Sequence, residues 1–157
     1  MKITNVNVKI IGEENKSVKA MASFLIDECF AIKNVRIVKT ENAMIVAMPS
    51  VKAGDGYEDV AHPINAETRK MVTERVLNKM FEEARNLLHE NISIPDGYYL
   101  GIDDKDIQTI NLFKESEGGQ PGELIGEYII ENYKSETLKE VGQEMLEQIE
   151  KKEFGGK

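Results

Sequence analysis

Apolar and polar residues alternate along the first third of the chain. Val6, Val8 and Ile10 are separated by Asn5, Asn7 and Lys9, the period of two of a half-buried strand. After the polar stretch "GEENKS", which predicts a turn, Val18, Ala20, Ala22, Phe24 and Ile26 share one face of a second strand. Asp27-Glu28 predicts a tight turn into "CFAIKNVRIVK", where Phe30 and Ile32, then Val35 and Ile37, are apolar. "TEN" predicts another turn, into the short apolar strand "AMIVAM". Four strands joined by short polar turns predict an antiparallel meander.

Past a Gly- and Pro-punctuated stretch, Ala47 to Asn65, the period changes. Val72, Val76, Met80, Ala84 and Leu87 follow at steps of four or three, with Leu77, Phe81 and Leu88 widening the stripe. Asn65 is placed to cap this helix, and Glu67 in its first turn suits the dipole. The fold class predicted is therefore α+β: a meander of about four strands, then one long amphipathic helix packed on it. Beyond it, "ISIPDGYYLGIDDKDIQTINLF" reads as a small hairpin or, in "DIQTINLF", a helical turn. "ESEGGQPGE" is the best linker candidate, near 115–123. "SETLKEVGQEMLEQIEKK" puts Leu138, Val141, Met145 and Ile149 on one face of an acidic helix, with Ser135 as its N-cap. A mixed, mainly helical C-terminal extension is expected.

Composition changes this picture in one respect. The 157 residues carry 41% hydrophobic and 31% charged residues, ordinary for a soluble globular chain. No apolar run reaches the roughly 18 residues of a membrane helix, and the alternating N-terminus predicts no signal peptide. The lone Cys29, read as a small strand residue, allows no internal disulfide and fits a reducing cytoplasm. The net charge of −8, however, is unevenly placed. Residues 1–85 hold 13 Lys+Arg against 12 Asp+Glu; residues 86–157 hold 7 against 16 and no Arg. The asymmetry predicts two parts, 1–85 and 86–157, of which only the first can approach a polyanion.

Candidate chemistry concentrates between Ala47 and Asn65. A hydrolase reading makes Ser50 the nucleophile, His62 the base and Asp55 or Asp59 the acid. Ser50 follows Pro49 and lacks the Gly-x-Ser-x-Gly elbow that exposes a nucleophile. Asp55-Gly56 is a turn dipeptide, and Pro63 holds His62 extended before the helix. For a metal, His62 and His89 lie far apart, and Asp55, Glu58 and Asp59 lack the order of a calcium loop. Turns and a capped helix are the reading favoured here, with no enzyme activity, no cofactor and no metal expected.

The order "IVAMPS", "DG", "DVAHPIN" and "TRK" opening a helix resembles the SpoVG family of septation regulators, as do "MKITNVNVKII" and "ASFLIDECFAIKNVRIV". The likeness spans about residues 1–84. It implies a cytoplasmic, dimeric, non-catalytic regulator that binds DNA and RNA and influences septation, cell division and sporulation. Matched by position, it points to Lys52 and Arg69 as nucleic-acid contacts; Lys70, Arg75 and Lys79 join them on charge alone. Base reading would fall to Asn65 or Arg69. Where the family commonly carries a Lys-Arg pair, this chain reads Val51-Lys52. A two-fold homodimer would double the cationic footprint. The acidic extension is expected either to fold over the basic face as a decoy or to dock a protein partner through its helical stripe. The rival reading of the whole chain is a protein–protein interaction module. It would act through an open sheet edge and the acidic helix, without nucleic acid.

Overall fold

The computed structural model describes residues 1–13 and 16–155. The chain falls into two compact units, one of residues 1–11 and 16–83 and one built from Ala84 onward. Part of the turn expected at "GEENKS", at residues 14 and 15, lies outside the described residues.

In the first unit, β1 (Ile3–Ile10), β2 (Val18–Ile26), β3 (Phe30–Lys39) and β4 (Met44–Ala47) form the expected antiparallel meander, in the order β1-β2-β3-β4. Ala20, Ala22, Phe24, Val35 and Ile37 on its inner face are almost wholly buried. Two bulges flank Phe24. One lies in β1 at Asn5 (φ 49), the other in β3 at Asn34 (φ 59), opposite the break between Ala22–Val35 and Phe24–Ile32. Asparagine tolerates the left-handed conformation better than most residues. The second bulge lets Ile32 and Val35, three apart, both follow the apolar pattern, since a bulge adds one residue to its strand. Asp27 and Glu28 make the predicted turn with φ of 50 and 58. Cys29 sits in that turn and is exposed, where a strand position was expected: the chain reverses through it before β3 begins.

The stretch after Pro49 is a hairpin where the sequence reads as a loop. β5 (Ser50–Ala53) pairs with β6 (Gly56–Asp59) as a separate two-stranded sheet. Its turn residues are Gly54 and Asp55, one position earlier than the Asp55-Gly56 expected; Gly54 supplies the φ of 60 that a tight hairpin turn wants at its first position. Nearly every residue of the hairpin is exposed, so no burial alternation marked it in the sequence.

The helix α1 (Ala66–Asn91) follows. Asn65 caps it as predicted, its Oδ1 accepting the Thr68 backbone N–H at 2.8 Å. Val72, Val76 and Met80 are buried against the first unit's core. The stripe continues in steps of four through Ala84 to Leu88, which is buried, while Leu87 stays half-exposed.

The second unit is mixed but richer in strand than the mainly helical expectation. β7 (Tyr98–Asp103), β8 (Asp106–Lys114) and β9 (Glu123–Ile129) form an antiparallel sheet in the order β7-β8-β9, followed by α2 (Ser135–Phe154). "DIQTINLF" is thus the second strand of a hairpin. The stretch read as a linker closes the β8–β9 hairpin, with Lys114 facing Glu123 across its base. Gly, Pro and Glu in that density serve a turn as well as a linker. Ser135 begins α2 without capping it; its hydroxyl donates to Asn91 Oδ1 at 2.6 Å, and Lys134 holds the cap position. Leu138, Val141, Met145 and Ile149, read as a stripe open to a partner, are buried inside the unit with Tyr98, Ile110 and Leu112. Gln108, fully buried on β8, donates its side-chain amide to the carbonyls of Ile130 (2.8 Å) and Glu131 (3.3 Å).

Candidate nucleic-acid interface

The hairpin and the start of α1 position the residues singled out in the sequence. Lys52 stands exposed on β5 opposite Tyr57. Asn65 and Arg69 are brought together. The Arg69 backbone N–H bonds the Asn65 carbonyl at 3.1 Å, and its guanidinium donates to the Pro63 carbonyl at 3.3 Å. The Asn65 side-chain oxygen already accepts the cap bond, which leaves its amide N–H groups the freer part for base reading.

The remaining cations are spread around the helix. Lys70 and Lys79 are nine residues apart, about two and a half turns, and point to opposite sides. Both meet carboxylates. Lys70 Nζ lies 3.9 Å from Glu74, an exposed pair of little strength. Lys79 Nζ lies 3.3 Å from Glu83 and 3.5 Å from Glu82. The hydrogen bond to Glu83, then the charge of Glu82, holds the Lys79 ammonium above its ordinary range. Lys52, Arg69 and Arg75 take part in no ion pair among the described residues.

No side-chain hydrogen bond links the groups weighed for catalysis to one another among the described residues. Ser50 faces Asp59 across the hairpin, and its hydroxyl accepts from Arg36 Nη2 at 3.5 Å. His62 directs Nδ1 at the Pro63 carbonyl, 3.0 Å away, as the donor.

Sequence reasoning passed over three cations on the outer face of the meander. Lys9, Met21, Arg36 and Ala47 are direct cross-strand partners, one row across all four strands. Lys33 stands one row along, beside the Asn34 bulge. The available signal was that β1 to β4 contain not one Asp or Glu; Asp27 and Glu28, for example, fall in the turn between β2 and β3.

An apolar cleft of about 250 Å³ opens at the other side of the unit, lined by Ile3, Phe24, Ile32, Met48, Pro63 and Val72 among others. Ile64, which also lines it, is 89% exposed, and Phe30, Tyr57 and Val60 of the same unit are exposed as well.

An antiparallel meander backed by one capped helix, with a cation-bearing hairpin between them, defines a small α+β module. Residues 1–83 match the SpoVG family model, and the chain belongs to the SpoVG family. It is 37% identical over 87 residues to the SpoVG of Phytoplasma australiense, covering 55% of this chain and 90% of the relative. It is 38% identical over 88 residues to that of Agathobacter rectalis (55% and 100%), and 40% over 83 residues to that of Clostridioides difficile (52% and 89%). These relatives are named as septation proteins. The family-model match ends at residue 83, just before the second unit's stretch from Ala84.

Proposed function

We propose that this chain is a non-catalytic, nucleic-acid-binding regulator of septation and sporulation, acting in the cytoplasm as a homodimer. The observation that carries the reading is that Lys52, Arg69 and Arg75 of the family-matched unit take part in no ion pair among the described residues, while the chain's acidic excess lies after residue 85. Phosphates respond to local cations, and each one neutralised releases a condensed counterion. Charge distribution, more than net charge, therefore governs approach to DNA or RNA. The apolar cleft with exposed Ile64, and the exposed Phe30, Tyr57 and Val60 of the same unit, support self-association, because a monomer gains nothing by leaving them wet.

The test titrates the full chain with a labelled DNA duplex and a labelled RNA strand at two salt concentrations. Contact with about four phosphates gives a log–log salt slope of roughly −3.5. Charge reversal in Arg69→Glu/Arg75→Glu weakens binding where the helix carries the contacts; affinity that does not change with salt refutes the electrostatic reading. Light scattering on the Ile64→Asp variant tests the dimer.

A further inference from the structure

We propose that the outer face of the β1–β4 sheet, around Lys9, Lys33 and Arg36, is where the nucleic-acid backbone lies. The inference rests on the nucleic-acid reading above and locates the polymer on the unit. The four strands carry Lys9, Lys19, Lys33, Arg36 and Lys39 and no carboxylate, a bias hidden by the near-neutral count over residues 1–85. Lys19 and Lys39 are engaged elsewhere. Lys9 and Lys33 are exposed and in no ion pair among the described residues.

Their geometry suits a polymer. Between them runs an open groove of about 340 Å³, lined by Asn7, Lys9, Met21, Ser23, Lys33 and Asn34 among others. Lys9 on β1 and Arg36 on β3 share a row with one strand between them, about 10 Å by sheet spacing. Along the axis of a B-form duplex each strand places about three phosphates over that distance. The Asn34 bulge interrupts the ladder opposite Ser23 and re-aims the Lys33 segment at the groove, a recurrent use of bulges. Asn7, Ser23 and Asn34 add amide and hydroxyl groups, the neutral partners that commonly supplement cations on phosphate and sugar. The helix offers less: two of its five Lys and Arg residues are met by carboxylates on the same helix.

The experiment compares the full chain with K9Q/K33Q and R69Q/R75Q, titrating a labelled DNA duplex and a labelled RNA strand across a salt series. Arg36 is left intact because it bonds Ser50. K9Q/K33Q is expected to bind about tenfold or more weakly, with a salt slope shallower by about 2. Its thermal unfolding should match the parent, since both lysines are exposed. Should K9Q/K33Q bind like the parent while R69Q/R75Q loses affinity, the polymer lies on the helix; the sheet-face inference falls and the nucleic-acid reading stands. Should the parent bind neither probe, both fall.

Discussion

Tyr133, just before α2, donates its buried hydroxyl to the backbone carbonyl of Ile107 at the start of β8, 26 residues earlier. The bond ties the approach to the helix to the central strand of the second unit. Removing it in Tyr133→Phe leaves a buried carbonyl without that donor, at a cost of about 1–3 kcal/mol. Denaturant unfolding should show a lower midpoint with an unchanged m-value.

Alkaline pH should destabilise the same unit. Burial pushes the Tyr133 phenol above its ordinary range, and the hydrogen bond to Glu153 raises Tyr98 to about 12. In the unfolded chain both phenols ionise near about 10. Between that value and the folded one the unfolded state holds fewer protons, so stability falls as pH rises. Below about 10 both states keep the proton, and these two tyrosines contribute no pH dependence. Absorbance of tyrosinate measures it directly: Glu153→Gln should bring the Tyr98 midpoint back toward about 10.

Gly126 lies under Gln148. A Cβ there would stand 2.6 Å from the Gln148 side-chain oxygen. Gln148 also donates to the Ile125 carbonyl at 2.6 Å and accepts from the Tyr128 hydroxyl, so displacing it breaks two bonds. Gly126→Ala should cost about 1–3 kcal/mol for the polar groups left unpaired. In a Gln148→Ala background most of that cost should vanish, because the obstruction is gone. Additive losses in the double-mutant cycle would refute the contact.

The cap of α1 was legible in Asn65 because capping is local: one side chain, one N–H three residues on. Asn65→Ala should cost about 1 kcal/mol, read as a lower unfolding midpoint. The meander was equally legible, since one buried face imposes alternation, and even the Asn34 bulge left its trace in the step from Ile32 to Val35. The β5–β6 hairpin was not, because both its faces are wet and no pattern of burial acts on it. Strand β8 was half legible, as one of two readings of "DIQTINLF", while β9 was obscured by the Gly-rich turn before it. The candidate site was read through residues matched along the chain. The Lys9–Arg36 row is visible only once register is known, because its members come from separate strands.

Lys79 offers a discriminating case for where a nucleic acid sits. Its ammonium is held by Glu82 and Glu83, so binding a phosphate there requires giving up two carboxylates. Replacing them in Glu82→Gln/Glu83→Gln frees the lysine and removes two negative charges from the same helical turn. If the helix carries the footprint, affinity should rise and the salt slope should steepen by about 1, one more phosphate neutralised. With the polymer on the sheet face, the slope should stay constant, since the number of contacted phosphates does not change. Any gain in affinity would then be small and would fade as salt screens the removed charges beyond about 10 Å. The slope, more than the affinity, decides between the two faces, because it counts contacts and is insensitive to a uniform shift in potential.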